Sequence, residues 1–119
     1  IVKLRLAAQD IFLTIIGGLQ VSDPSIDLAI ITAIVSSLRQ KPISEKIAVV
    51  GEIGLTGEIR PVPHLKKRIV ELKKCGFTHV IIPAKNKLTE KDMAGIKCIP
   101  KKHVLEVLIE LFGTPDQQR

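Results

Sequence analysis

Three glycines fall within seven residues in Gly51-Glu52-Ile53-Gly54-Leu55-Thr56-Gly57, a density that could let backbone wrap a phosphate. The nucleotide-binding form of such a loop needs Lys followed by Ser or Thr after the last glycine, at the entry to a helix. Here Glu58-Ile59-Arg60 follows, the flanking residues have strand composition, and Glu52 and Glu58 would repel an anion. The glycines therefore read as the turn of a hairpin. Cys75 and Cys98 belong to no C-x-x-C pair, and His64, His79 and His103 are scattered. No metal site or bound cofactor is expected, and both thiols are expected reduced.

A second chemical feature is basic. Arg60, Lys66, Lys67, Arg68, Lys73 and Lys74 are followed by Lys85 and Lys87, and Glu71 is the one acid between Arg60 and Lys74. Such a run is commonly a solvated helix face. Its poor compensation also suits phosphate contact, with Arg60, Lys66, Lys67 and Lys73 the expected nucleic-acid-binding residues. The chain has no Tyr or Trp, so it offers no platform on which bases stack. Any contact should be phosphate-directed, tolerant of sequence and sensitive to salt.

These side chains need elements to hold them. Asp10–Ile16 has strand composition and runs into Gly17-Gly18, a natural turn. Asp23 suits an N-cap and Pro24 a first helical position, for a helix from about Ser25 to Leu38. That helix is apolar almost all round, which predicts burial on most of its faces. Lys46–Ile53 reads as a strand, Gly54–Gly57 as a turn and Glu58–Val62 as the returning arm, with Pro61 marking an edge. A helix over 63–74 carries Leu65, Ile69 and Leu72 on one stripe and is closed by Gly76. His79–Ile82 and Lys97–Ile99 read as strands and Lys102–Phe112 as a last amphipathic helix. The polar tail over 114–119 is expected to be disordered.

The 119 residues suit one domain, and 45% hydrophobic content supplies a core. A net charge of +6 favours anionic partners: nucleic acid, anionic lipid or acidic protein. The longest apolar stretch, Leu28–Leu38, is broken by Thr32, Ser36 and Ser37, so nothing is long enough to span a bilayer. The chain opens on Ile1 in an apolar stretch without Met, which reads as a piece of a larger protein.

The order Gly17-Gly18, Asp23-Pro24-Ser25, Gly51-Glu52-Ile53-x-Leu55-x-Gly57, a basic helix near Arg68, then Ile81-Ile82-Pro83 resembles the proteolytic domain of Lon protease. Gly51 to Val62 is closer still to the Lon-like C-terminal domain of the RadA (Sms) family of bacterial DNA repair proteins, as are Asp27-Leu28-Ala29 and Gly76-Phe77. The resemblance implies an α/β, two-layer Lon protease-like fold (ribosomal protein S5 domain 2-like) over 1–113. In Lon a Ser at a helix start and a Lys from a later helix form a dyad, and the matching positions are Ser25 and Arg68. A Ser–Lys mechanism needs a base that can be neutral near pH 7, which arginine cannot be. Lys66 and Lys67 do not substitute, since one residue turns a helix by about 100°. The two positions are therefore read as vestigial, with no catalytic residue.

By resemblance the parent is a cytoplasmic, ATP-driven DNA motor for recombination and branch migration. Its zinc finger and RecA-like ATPase lie upstream, and ATP, Mg and Zn belong to those parts. The implied partners are single-stranded or branched DNA, further copies of itself in a hexameric ring, and a RecA-type recombinase, with no membrane. The competing readings are a Ser-dependent peptidase and a Lon-like domain of another ATPase family, such as a magnesium-chelatase-like protein.

Overall fold

In the computed structural model, Ile47–Val49 (β1), His79–Pro83 (β4) and Lys97–Lys101 (β5) form a parallel sheet in the order β1-β4-β5. The structure describes residues 24–93 and 95–113. The strand expected over Asp10–Ile16, the Gly17-Gly18 turn, the Asp23 cap and the tail over 114–119 lie outside the described residues. Val80 pairs with Ala48 on one side and Cys98 on the other, so β4 is central. Its residues His79–Pro83 are apolar from Val80 on, and both faces are covered, as parallel strands require. Pro100 falls on β5, one of the two edges among the described strands, where its missing N–H costs no ladder bond.

Alternation along the strands divides the interior into two cores. Ala48, Val50, Val80 and Ile82 point one way and meet Leu65 and Ile69 of α2 (Leu65–Lys74). Ile81 points the other way and meets Leu28 of α1 (Asp27–Arg39), Ile59 and Val107 of α4 (Val104–Phe112). Ile69, Ile81, Leu28 and Val107 are all inaccessible, each burial contributing roughly 1.5–3 kcal/mol. The α/β class expected from the sequence is the one observed. Over these residues α2 packs on one face of the sheet, and α1 and α4 on the other.

Four local differences from the sequence reading have physical causes. The segment read as one strand over 46–53 is two. Val50 makes the last bond to the sheet, its N–H to Ile81 O at 2.9 Å. Gly51 then turns to the helix start: its N–H donates to Ser25 O at 2.9 Å, and its own carbonyl accepts from Leu28 N at 3.0 Å. The chain continues as Glu52–Ile53 (β2), paired antiparallel with Ile59–Arg60 (β3). Second, α1 follows a single 3-10 turn over Pro24–Ile26, and only Leu28 and Thr32 within it are fully buried. Ile30, Ile31, Ile34 and Val35 are half-buried.

Third, α2 starts at Leu65 because His64 adopts a left-handed conformation, with φ of 58°. Fourth, α3 (Glu90–Met93) has no counterpart in the sequence reading; Thr89 and Asp92 cap it reciprocally, backbone N–H to side-chain oxygen in both directions.

Candidate functional site

The glycine-rich segment is a packed hairpin. Gly54 N donates to Glu58 O at 2.9 Å and Gly57 N to Gly54 O at 3.0 Å, closing the turn. Gly57 has φ of +87°, and a Cβ there would stand 2.6 Å from His103 Nε2. A Cβ at Gly54 would overlap the Glu58 carboxylate. That carboxylate folds back over the turn, accepting from the Thr56 hydroxyl and from Thr56 N at 3.1 Å, with Arg60 Nη2 at 3.4 Å. The Thr56 hydroxyl, foremost, holds the Glu58 carboxyl down at about 2, against an ordinary 4.5. The turn amides thus already serve an internal anion.

His103 ties this hairpin to α4. Its Nδ1 accepts from Leu105 N at 3.1 Å, which leaves the proton on Nε2, 2.9 Å from the Thr56 carbonyl. Glu106 completes a capping box, accepting from Lys102 N at 2.7 Å and His103 N at 2.9 Å, and those two bonds hold its carboxyl below the usual range. Sequence reasoning missed His103 because a His–Glu pair at cap and third position is an unusual form of that box.

The two dyad positions are placed by different elements. Ser25 lies in the 3-10 turn, 2% exposed, with its carbonyl on Gly51 N. Beside it Asp27 Oδ2 accepts from Ile53 N at 3.3 Å, so the first turn of α1 clamps both ends of the Gly51–Ile53 segment. Arg68 sits half-buried in the first turn of α2, with Nε donating to Pro63 O at 3.1 Å. Their helices anchor in different cores, α1 through Leu28 on one face of the sheet and α2 through Leu65 and Ile69 on the other. Arg68 is a permanent cation fixed on a local carbonyl, with no proton-accepting form.

The expected nucleic-acid residues separate into two groups. Lys66 and Lys67 line a shallow cleft of about 340 Å³ together with His64, Asn86, Lys87 and the apolar Val62, Leu65 and Leu88. Asn86 builds it: its Oδ1 accepts from Val62 N at 3.0 Å and its Nδ2 donates to Val62 O at 3.1 Å. The side-chain amide thus imitates a strand partner, and the loop after β4 is pulled against the approach to α2. That places Lys87 beside Lys66 and Lys67, 21 and 20 positions away in sequence. Among the described residues no acid lines the cleft. Nor does α2 have a side-chain N-cap or an acid in its first turn, so the positive end of its dipole adds to the field. Lys66 is partly compensated by Asp92 Oδ1 at 3.3 Å. Thr89 N–H first, then the Thr89 hydroxyl and Lys66, keep the Asp92 carboxyl below the usual range.

Arg60 is not in this cleft. It lies over the hairpin turn against Glu58. Lys73, in the last turn of α2, comes to Gly95 beyond α3. Among the described residues no group of His, Cys, Asp or Glu could hold a metal, and no helix is long and apolar enough to cross a membrane. Cys75 and Cys98 are both free thiols, and burial raises that of Cys98.

Residues 5–112 match the family model of the Lon protease (S16) C-terminal proteolytic domain. The DNA repair protein RadA of Escherichia coli (strain K12) is 43% identical over 105 residues, covering 88% of this chain and 23% of that protein. RadA of Salmonella typhimurium is 48% identical over 105 residues, again covering 88% of this chain and 23% of that protein. RadA of Bacillus subtilis (strain 168) is 41% identical over 112 residues, covering 94% and 24%. The chain spans about a quarter of the length of these curated relatives.

Proposed function

The chain belongs to the Lon protease C-terminal proteolytic domain family, and from that premise we propose that it is a non-proteolytic assembly and DNA-contact domain of a RadA-type DNA repair ATPase. The observation that carries the DNA part is the cleft, where Lys66, Lys67 and Lys87 converge on an uncapped helix start with no acid in the lining. Its partner is single-stranded or branched DNA, read through phosphates. Lys67 and Lys87 supply the main charge, Lys66 shares its own with Asp92, and Arg60 and Lys73 act from outside the cleft. Each phosphate neutralised releases counterions, so affinity falls with salt at a slope of about 0.7 to 0.9 per contact. Binding of this kind accepts any sequence and lets a motor slide along its track.

The non-proteolytic reading rests on two points: Arg68 stands where resemblance to Lon puts the lysine, and its helix packs on the opposite face of the sheet from the helix that Ser25 leads into. A Ser–Lys hydrolase must move the hydroxyl proton onto a neutral amine as the oxygen attacks. The Arg68 guanidinium has no such form. Ring assembly, branch migration, the upstream zinc-finger and ATPase domains with their Zn, ATP and Mg, and a RecA-type recombinase partner follow from kinship with RadA.

Two measurements test this reading in the intact protein. Titration of unrelated single strands across a salt series should show Lys66→Ala/Lys67→Ala weakening binding equally for all sequences, with a shallower salt slope. Unchanged affinity and slope would reduce these lysines to a solvated face. A serine-directed phosphonate should leave Ser25 unlabelled; casein cleavage abolished by Ser25→Ala would establish a peptidase instead.

A further inference from the structure

The outward faces of α2 and α4 are complementary, and the two helices pack on opposite faces of the sheet. On α2, Val70 and Lys74 stand at i and i+4, turned away from the buried Leu65 and Ile69; Val70 is 41% exposed. On α4, Leu105 and Ile109 have the same i, i+4 spacing and are 60% and 46% exposed, alongside Glu106 and Glu110. The sequence of α2, LKKRIVELKK, is strongly basic, whereas that of α4, VLEVLIELF, holds two Glu and no Lys or Arg. One helix thus shows an apolar spot amid lysines, and the other an apolar stripe beside two glutamates, with Lys101 and Lys102 at its foot.

We propose that α4 of one copy packs its Leu105–Ile109 stripe on Val70 of a second copy, with Glu110 against Lys74. This rests on the assembly half of the function proposed above and assigns its surfaces. The present partner of Lys74 holds it weakly: Glu71 lies at 3.7 Å with both side chains largely exposed. Glu110 reaches the partly buried Lys101 at 3.1 Å, and its other carboxylate oxygen is left for Lys74 of the second copy. Pairing like with like, α2 on α2 or α4 on α4, would oppose equal charges. The contact is therefore head to tail, and such contacts repeat until a ring closes or a filament grows. One helix pair buries less than the roughly 800 Å² per partner of a stable interface, so each contact is weak and closure supplies the avidity.

Cross-linking tests the assignment. In a Cys75→Ser/Cys98→Ser background, Val70→Cys chains and Ile109→Cys chains should each stay monomeric under mild oxidation. Their equimolar mixture should give one disulfide-linked pair, and the Val70→Cys/Ile109→Cys chain a ladder of multimers. Static light scattering of the unmodified chain over a concentration series runs alongside, and the Tm of each variant confirms folding. Ile109→Cys chains that link to one another would overturn the head-to-tail contact. Self-association without the mixed cross-link overturns this contact alone. A mass of one chain at every concentration overturns the assembly reading and this contact with it.

Discussion

The glycine-rich hairpin at 51–60 and the lysine cleft at 62–88 both offer chemistry suited to phosphate, and they hold their side chains in opposite ways. In the hairpin the polar groups of the turn are tied inward: Glu58 to Thr56 and Arg60, with His103 of the neighbouring helix start bonded to Thr56 and Leu105. In the cleft the backbone is fixed by Asn86 on Val62, while Lys67 and Lys87 extend into solvent. A site needs rigid support and unsatisfied functional groups together. Only the cleft combines them.

The contrast is sharpest in stability. Gly57→Ala forces a side chain into a left-handed conformation and against the His103 ring, which should cost about 2 kcal/mol. Thermal unfolding should register this as a fall in Tm of roughly 5–10 °C. Lys67→Ala and Lys87→Ala, by comparison, should stay within about 0.5 kcal/mol of the parent. A Gly57→Ala protein as stable as its parent would mean that the hairpin is not locked as described. His103→Ala comes next. It removes the cap on Leu105 N and the bond to Thr56, a loss of about 1 kcal/mol, which denaturant titration can resolve.

A smaller effect has a characteristic pH dependence. The folded carboxyl of Glu58 titrates at about 2 against an ordinary 4.5, so its contribution is complete above pH 4.5 and fades as pH falls toward 2. The Tm difference between parent and Glu58→Gln should therefore be largest above pH 4.5 and vanish near pH 2. A difference that is constant across that window would detach Glu58 from the turn. Arg68→Lys should produce at most a trace of peptidase activity in a casein assay, because an oxyanion site and a substrate groove are needed as well.

Much of this scaffold was legible in residue pattern. Leu65, Ile69 and Leu72 line the inner face of α2, Gly54 to Gly57 form the turn, and the chain folds back at Gly76 with φ of +97°, as their spacing implies. What the pattern could not show depends on distant partners. Lys46–Ile53 reads as continuous strand, because nothing in it reveals that Gly51 will leave the sheet to bond Ser25. The all-apolar run of α1 overstates its burial among the described residues, since composition does not say how many neighbours a helix will have. The cleft was half visible: the α2 lysines stood out as a run, but Lys87 joins them through one asparagine amide that leaves no periodic trace. Arg60, adjacent in sequence to that run, is claimed by the hairpin.

The central claim is that phosphate is met chiefly by the cleft lysines and not by the backbone amides of the glycine turn. Its most direct test is the salt dependence of binding to an unrelated single strand, measured for parent, Lys67→Ala/Lys87→Ala and Gly57→Ala proteins at a temperature where all three are folded. The double lysine variant should bind more weakly, with a slope of log affinity against log salt shallower by about 1.4, while Gly57→Ala keeps the parental slope. A parental slope in the lysine variant, with the loss appearing in Gly57→Ala instead, would contradict the account.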